Sequence, residues 1–405
     1  MIILRQEKFG GIAFNPNNAH ELWLDSELFN LMARKKQRAD NKIHSKASEV
    51  FRKLAVKDRS YKVILPKQTS INEIFPFQVL NSPVLADINI TNKCNLNCPH
   101  CYVSSNRNGK EMSRQDLQLV LNECEKAGVL QIAVGGGEPT LHPLFTDFLK
   151  EIRKRNIVPN VTSNGKILNW KTVYAMARYA GAVALSIEET DDRFEQRRKF
   201  PFKDFLKSVK KLKAAGVKLV FQIVISKGNL DRVNQTVREM VKYNPYGILF
   251  LAYKPQGRGK KYDLPLSKAN QLKVNKVLGN IFNDLKGKTK IGFDCCLTPA
   301  LIGIKNSSSF IGCSASRTSI AIMPDLTVLP CSFLNQDSNK WDNLRHKNLL
   351  DIWQSDNFNN FRRQIARKLT QPICKQCPEK NICLGGCPIF PLVNCKYNVL
   401  FKESC

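Results

Sequence analysis

The sequence predicts an α/β fold in which an open, partial (β/α)6 barrel of the TIM type lies between a small N-terminal α+β extension and a cysteine-rich C-terminal segment. Between Pro83 and about Gly292, short apolar segments alternate with amphipathic helices, as in a parallel sheet covered by helices. Of the fourteen cysteines, ten lie at or beyond Cys295, in a segment rich in turn residues. The units are expected at residues 1–80, 83–292 and 293–405.

The N-terminal extension is predicted to be a short sheet followed by helices. Extended segments are expected at Met1–Glu7, Gly10–Phe14 and His20–Leu24. Asp25 is placed to cap a first helix, and a second helix is expected around Ser45–Val56.

The first strand of the barrel leads directly into a loop with three cysteines. Pro83–Thr91 alternates apolar and polar residues, and Cys94, Cys98 and Cys101 follow it. Gaps of this size let three thiolates converge on an iron–sulfur cluster whose fourth iron stays open for a small molecule. A zinc site with His100 as the fourth ligand is the alternative.

A C-x3-C-x2-C loop that ends in an aromatic residue, here Tyr102, and follows a first strand resembles the radical S-adenosylmethionine (radical SAM) enzymes. The resemblance implies that Cys94, Cys98 and Cys101 hold a [4Fe–4S] cluster, and that the amino and carboxylate groups of S-adenosylmethionine chelate its open iron. It also implies that Tyr102 lies at the cofactor site.

A second matching motif follows the next strand. Ser113 is predicted to cap an amphipathic helix, and the strand Gln131–Val134 then leads into Gly136, Gly137 and Glu138. Glycines after a strand let a ligand approach the backbone closely. The motif resembles the Gly-Gly-Glu-Pro sequence that holds the methionine amino group in radical SAM enzymes, which implies that Glu138 accepts hydrogen bonds from that ammonium group.

Four further strand–helix units complete the predicted barrel. Their strands are expected at Pro159–Ser163, Ala182–Ile187, Lys218–Ser226 and Ile248–Tyr253. In the family the strand tips surround the cofactor. The resemblance therefore makes four residues candidates for binding its carboxylate and ribose: Ser163, Asn164, Ser186 and Arg197.

The C-terminal cysteines form an independent pattern. Cys374-x2-Cys377-x5-Cys383-x3-Cys387 follows Cys313 and Cys331, and Ala321–Asp325 is predicted to be one arm of a hairpin. Two zinc sites would explain such spacing. The pattern also resembles the SPASM domain, a seven-cysteine extension that holds two auxiliary [4Fe–4S] clusters. One departure is Leu326, which stands where the family usually has glycine, so a reshaped turn is expected there.

The resemblance also assigns the auxiliary ligands. The first cluster would use Cys313, Cys331 and Cys387, and the second would use Cys374, Cys377 and Cys383. Each cluster then needs a fourth thiolate. Cys295 or Cys296 can complete the first and Cys395 or Cys405 the second, with Cys296 and Cys395 preferred.

The net charge of +29 fits a nucleic-acid or acidic partner, but much of it lies on helix faces such as Lys203–Lys213. The apolar segments are too short to cross a membrane, and charged residues interrupt the N-terminus where a signal peptide would begin. We therefore expect a cytoplasmic protein.

The resemblance implies an enzyme that cleaves S-adenosylmethionine reductively to a 5′-deoxyadenosyl radical and oxidatively modifies a peptide or protein, as in ribosomal peptide maturation. It implies an electron donor such as flavodoxin or ferredoxin. Residues 1–80 resemble the precursor-peptide recognition element of such enzymes, in which an edge strand pairs with a leader peptide. A plain extension of the barrel is the alternative.

Three other functions remain open at this point. RNA modification is suggested by the charge, and a non-enzymatic iron–sulfur carrier would explain the cysteines alone. A sulfatase-type formylglycine maturase would be expected to carry an acidic base in the barrel, and no motif identifies one.

Overall fold

The computed structural model describes residues 1–33, 41–56, 60–66, 75–262, 265–266, 270–302, 312–334 and 340–390. Within these ranges the strands form two sheets, one of four strands and one of nine. The smaller sheet belongs to the N-terminal extension, and the larger one contains the predicted barrel strands.

The N-terminal sheet is a three-stranded meander with a fourth strand added in parallel. Its strands are β1 (Ile2–Glu7), β2 (Gly10–Asn15), β3 (His20–Asp25) and β4 (Tyr61–Ile64), in the order β3-β2-β1-β4. The three predicted strands are confirmed, whereas β4 was not predicted. Helices Ser26–Ala33 and Asn41–Lys53 follow the meander, and Asp25 caps the first by accepting from the Leu28 N–H at 2.8 Å.

One face of this sheet packs against the barrel. Ile3, Ile12 and Phe14 form a buried cluster with Leu130 and Val158 of the barrel. Arg5 is fully buried and donates to the carbonyls of Pro83 and Gly128, both at 2.9 Å. The extension is thus attached to the barrel by both apolar packing and a buried guanidinium.

The larger sheet is parallel except at one edge. It contains β5 (Leu85–Thr91), β6 (Gln131–Gly136), β7 (Val158–Ser163), β8 (Ala182–Ile187), β9 (Leu219–Ile225), β10 (Gly247–Ala252), β11 (Lys290–Phe293), β12 (Ser319–Ile322) and β13 (Val328–Leu329). All six predicted barrel strands, β5 to β10, are confirmed in consecutive order. Strand β11 extends the sheet beyond β10, and β12 pairs in parallel with β5 on the other side.

The predicted hairpin is the antiparallel pair of β12 and β13. Its connecting turn contains Leu326, which is fully buried and has a φ of +73°. Leucine therefore adopts the left-handed conformation that favours glycine. The turn thus accommodates leucine with a left-handed backbone and a buried side chain.

Helices cover the outer face of the sheet. In the barrel they are Arg114–Lys126, Phe145–Lys154, Trp170–Tyr179, Asp191–Arg198, Phe202–Ala214, Val233–Val241 and Gln271–Leu285, with 3-10 turns at Pro139–Leu141, Leu230–Arg232 and Gly257–Lys261. Those beyond the barrel are Thr298–Leu301, Leu349–Trp353, Asp356–Leu369, Pro372–Lys375 and Lys380–Cys383. As predicted, Ser113 caps the first barrel helix, in a capping box with Asp116. Across the described ranges, none of the helices combines the length and apolar character needed to span a bilayer.

The two faces of the barrel strands differ in burial. On β8 and β9, Val183, Leu185 and Phe221 point outward and are fully buried beneath the helices. The alternate residues on the inner face, such as Ala184 and Gln222, keep partial solvent access. The same alternation recurs on β6, β7 and β10. The barrel therefore encloses an accessible lumen.

Candidate iron–sulfur and cofactor site

The cysteine loop leaves β5 and places its three thiols near one another. Cys94 and Cys98 are buried, and Cys101 is partly exposed. The pKa of Cys94 is raised to about 11, mainly by burial and also by the charges of Glu138, Cys98 and Cys101. Thiols that raise one another's pKa form an electron-rich group, which a positively charged metal centre would stabilise as thiolates. Among described residues, no three His, Cys, Asp or Glu side chains are grouped around a single-ion site.

The three glycines at the end of β6, Gly135, Gly136 and Gly137, have different surroundings. A Cβ on Gly136 would lie 2.1 Å from the Thr91 carbonyl oxygen, and a Cβ on Gly137 would lie 2.2 Å from that of Lys93. These two glycines let β6 approach the start of the cysteine loop. A Cβ on Gly135 would meet nothing closer than 3.6 Å. Chain packing therefore explains the glycines at 136 and 137 but not the one at 135.

Glu138 joins the ends of two strands to the cysteine loop. Its buried carboxylate accepts from the Ser163 hydroxyl at 2.9 Å and from the Asn164 backbone N–H at 2.7 Å. Asn164 in turn directs its side-chain amide to Asn95 Oδ1 at 2.8 Å and to Cys94 Sγ at 3.7 Å. The structure thus brings three predicted residues, Glu138, Ser163 and Asn164, together beside Cys94.

The pair Arg197–Arg198 lies at the end of β8 on the helix Asp191–Arg198. Arg197, the predicted residue, donates to Glu189 at 2.6 Å. Its neighbour Arg198 binds Glu188 through two nitrogens, one at 2.8 Å, and its carbonyl accepts weakly from Cys98 Sγ at 3.9 Å. Sequence reasoning missed Arg198, although of these two arginines it is the one whose backbone carbonyl contacts the cysteine loop.

His100, the alternative zinc ligand, is part of the same network. Its Nε2 lies 3.5 Å from Glu188 Oε1. Burial lowers the pKa of His100 to about 4, against the opposing charge of Glu188. Burial also acts to raise the pKa of Glu188, but Arg198 and His100 outweigh it and the pKa of this carboxyl is lowered. Glu188 is therefore an anion at neutral pH.

A segment after β10 closes over the cysteine loop. Arg258 donates to the Cys98 carbonyl at 2.9 Å and to the Ser105 carbonyl at 2.7 Å. A Cβ on Gly257 would lie 2.4 Å from the Tyr102 carbonyl oxygen, so glycine permits this approach. The sequence Gly257-Arg258-Gly259 was a signal for this contact, and the predictions made from the sequence did not include it.

Tyr102 and Ser186 are on other elements than Glu138, and Ser186 directly follows Leu185, the residue in register with Ser163. The Tyr102 ring lies 4.8 Å from that of Phe333, between centroids, and its hydroxyl bonds with Ser332. Tyr102 thus faces the C-terminal segment. Ser186 lies on the inner face of β8, opposite Gln222 of β9.

Five cysteines form a second group next to Phe333. The thiol of Cys295 is hydrogen-bonded to Cys296 and Cys313, and that of Cys296 is also bonded to Cys387. The fifth member is Cys331, whose pKa is raised to about 12, mainly by burial and also by the charge of Cys387. Both candidates for the fourth ligand, Cys295 and Cys296, therefore lie within this group.

The second predicted auxiliary site is partly described. Cys374 and Cys383 are buried and Cys377 is partly exposed. The Gly312 N–H donates to the Ile382 carbonyl at 2.6 Å, which connects this segment to the chain just before Cys313. Cys395 and Cys405 lie outside the described residues.

Two family models match the chain in the order that the fold suggests. Residues 88–240 match the radical SAM superfamily. Residues 313–378 match the iron–sulfur cluster-binding SPASM domain. The chain contains a radical SAM domain. It carries a SPASM domain, and it binds iron–sulfur clusters and S-adenosylmethionine.

Named relatives of this radical SAM protein include a maturation protein and a maturase. Sporulation killing factor maturation protein SkfB of Bacillus subtilis is 30% identical over 184 residues, which cover 44% of each chain. Mycofactocin maturase MftC of Mycolicibacterium smegmatis is 24% identical and aligns with 76% of this chain and 79% of its own. The match thus spans less than half the length of SkfB but most of MftC.

The fold is shared with a solved radical SAM structure. Streptococcus suis SuiB bound to the precursor peptide SuiA superimposes with a TM-score of 0.74 at 20% identity, covering 97% of both chains. The fold therefore extends over the N-terminal extension, the barrel and the SPASM domain of this chain.

The residues present fit the cofactors of the family. Cys94, Cys98 and Cys101 supply three soft thiolate donors, the number that leaves one iron of a four-iron cluster open. Among the described residues, Glu138 Oε2 has one hydrogen-bond donor, the Asn164 N–H, and so retains capacity to accept from an ammonium group.

Proposed function

We propose that this radical SAM protein is a peptide maturase that oxidatively modifies a peptide or protein substrate. The observation that carries the proposal is the accessible barrel lumen, which lies between the cysteine loop and the five-cysteine group. Tyr102, adjacent to Cys101, contacts Phe333, which follows Cys331 by two residues. A substrate in the lumen would therefore lie next to both groups. The peptide-maturing relatives support a peptide as this substrate.

In this proposal the chain's own residues bind and orient the cofactors. When bound, the cluster and S-adenosylmethionine supply the one-electron chemistry that removes a hydrogen atom from a substrate. Glu138, with Ser163 and Asn164, would hold the methionine amino group. Ser186 and Arg197 would bind the remaining polar groups of the cofactor. The electron donor would be a flavodoxin or ferredoxin.

The N-terminal unit, residues 1–80, would bind the leader of the precursor peptide. Strand β3 is at the edge of its sheet, so one side of its backbone is available for pairing. Trp23 of β3 is 44% exposed and stacks on Phe9 with centroids 5.0 Å apart. Addition of a bound leader should slow amide hydrogen exchange in His20–Asp25, and unchanged exchange would contradict this role.

The same proposal assigns three clusters to the chain, with Cys296 and Cys395 completing the auxiliary pair. Anaerobically reconstituted protein should then contain ~12 iron atoms and equivalent sulfide per chain, with little zinc. About four iron atoms, with zinc in the remaining sites, would remove the auxiliary clusters from the proposal.

Three cysteine variants separate cofactor cleavage from peptide modification. Cys98→Ala should abolish 5′-deoxyadenosine production, because two thiolates do not hold the first cluster. Cys383→Ala should retain some production but yield no modified peptide. Cys124, fully buried in the core helix Arg114–Lys126, provides the matched control, and Cys124→Ala should retain both activities.

The substrates for this test are short peptides encoded by reading frames that neighbour the gene. Mass spectrometry should show a loss of two hydrogens with the wild-type protein, as a crosslink requires. Normal cleavage by Cys98→Ala would refute the cofactor assignment. Tight binding of tRNA, with every peptide left unmodified, would favour RNA modification instead.

A further inference from the structure

The lumen of the barrel contains a single ionisable side chain on its strands. The inward-facing residues of β5 to β10, all of them described, are Leu85, Asp87, Asn89, Gln131, Ala133, Gly135, Asn160, Thr162, Ala182, Ala184, Ser186, Val220, Gln222, Val224, Leu249 and Leu251. Asp87 is the only acid or base among them. An aspartate in the middle of an apolar parallel strand is costly unless its charge is used.

Asp87 has one hydrogen-bond partner from the protein, the hydroxyl of Ser332. In the described part of the chain no Lys, Arg or His nitrogen forms an ion pair with it. Lys254, which lies over the Phe333 ring at 4.5 Å, is instead paired with Asp294. Within the described ranges, the Asp87 carboxylate is therefore left without a neutralising cation.

Space is available directly beside this carboxylate. A Cβ on Gly135 would lie 3.8 Å from Asp87 Oδ1 and 3.6 Å from Asn89 Oδ1, both ordinary contact distances. Nothing in the backbone thus requires glycine at 135, and its missing side chain widens the lumen at this level. A glycine within a strand that packing does not explain often marks the approach of a ligand.

The other walls at this level are uncharged, and they combine apolar or small residues with the polar side chains of Asn160 and Thr162 on β7. Ala133 is the β6 residue in register with Asp87, and Ala184 lies on the inner face of β8. Leu249 and Leu251 form the inner face of β10. The lumen thus has a carboxylate on one side and alkyl groups on the other. This arrangement matches a lysine or arginine side chain, whose methylene stem packs on apolar groups while its head is charged.

The position is also suited to a substrate. The charge of Asp87 acts on both Tyr102 and Cys331, so the carboxylate lies near the cysteine loop and near the five-cysteine group. Burial raises the pKa of Asp87 to about 6, with the Ser332 hydrogen bond opposing. The carboxylate is thus ionised at neutral pH but poorly compensated, and a bound cation would stabilise it.

We infer that Asp87 and the space beside Gly135 form a subsite for a cationic side chain of the peptide substrate. The inference rests on the proposed peptide maturase function and adds a substrate preference to it. The same cationic chemistry is present in the sulfonium of S-adenosylmethionine, so the test must separate the two.

The test measures binding to the reconstituted, S-adenosylmethionine-loaded enzyme by calorimetry. The probes are acetyl-Gly-Gly-Lys-Gly-Gly-amide and the same peptide with norleucine in place of lysine. The wild type should bind the lysine peptide about tenfold more tightly or better, as expected for a charged hydrogen bond. Asp87→Asn, which preserves shape, should reduce this preference to about twofold or less.

Two controls complete the experiment. Asp147→Asn, on the exposed face of the helix Phe145–Lys154, should keep the wild-type preference. The affinity of Asp87→Asn for S-adenosylmethionine should be unchanged. Any of three results would overturn the subsite. The wild type binds both peptides equally, it binds neither, or Asp87→Asn loses affinity for S-adenosylmethionine while its preference for the lysine peptide is unchanged. Because binding needs no turnover, lysine preference without modification of any peptide would refute the maturase and leave the subsite intact.

Discussion

The Arg198–Glu188 pair provides a quantitative test of how the cysteine loop is supported. Arg198 and Glu188 are 7% and 2% exposed, and the arginine is the residue that binds both oxygens of this carboxylate. Arg198→Met removes the guanidinium but keeps much of its apolar stem. A buried carboxylate that loses its partner costs roughly 3–5 kcal/mol. We therefore expect the free energy of unfolding to fall by about that amount at pH 7.

The pH dependence gives the sign of the effect. In the wild type the pKa of Glu188 is lowered, so the pair stabilises the fold above the unfolded pKa of this carboxyl and loses its effect as pH falls through the folded pKa. In Arg198→Met, burial dominates and the pKa is raised. The variant should therefore lose stability as pH rises from the unfolded pKa, and its deficit should be smaller at pH 5 than at pH 7.

Urea unfolding followed by circular dichroism measures these differences. Glu188→Gln in the Arg198→Met background removes the unpaired charge and should recover at least half of the loss. Arg193→Met, on the exposed face of the same helix, is the matched control and should change stability by less than about 0.5 kcal/mol. A loss below about 1 kcal/mol in Arg198→Met, or no recovery in the double variant, would refute the reasoning.

Three further predictions concern the turn, the closing segment and cluster assembly. Leu326→Gly should lower the free energy of unfolding by about 1–4 kcal/mol, because a buried leucine contributes more than the ~1 kcal/mol of left-handed strain that glycine relieves; a higher melting temperature would contradict this. Gly257→Ala should reduce iron bound per chain, because its Cβ would meet the Tyr102 carbonyl at 2.4 Å. Gly216→Ala, with a φ of +72° and no atom within 4 Å of its Cβ, isolates the strain and should bind iron normally. Because burial raises the pKa of Cys94 to about 11, cluster assembly releases protons and should be faster at pH 8.5 than at pH 7 by iron uptake; equal rates would oppose this.

The sequence predicted the barrel because its strands and helices have strong local patterns. β8, for example, alternates buried and partly accessible residues from Ala182 to Ile187, and this period of two is visible in the sequence. β4 and β11 were missed because each has four residues and includes a lysine. Such short segments become strands through pairing with β1 and β10, and this tertiary information is absent from the local pattern.

The site was predicted less completely than the fold. Motifs pointed to the three loop cysteines and Glu138, but only coordinates show that Arg198, rather than its neighbour Arg197, contacts the cysteine loop through its backbone carbonyl. Asp87 was missed because no motif contains it. An acidic residue within the apolar strand Leu85–Thr91 was nevertheless a signal that could have drawn attention to it.

The glycines at 135, 136 and 137 show how one motif can combine two physical requirements. Gly136 and Gly137 are needed because the carbonyls of Thr91 and Lys93 occupy the positions that their Cβ atoms would take. They fix the geometry of the cysteine loop whether or not a ligand is bound. Gly135 has no such neighbour, and the volume it leaves lies beside the lumen carboxylate. Local rules for packing and burial thus account for glycine at 136 and 137. The same rules explain neither the glycine at 135 nor the charge at Asp87, where we propose that a ligand supplies the missing contacts.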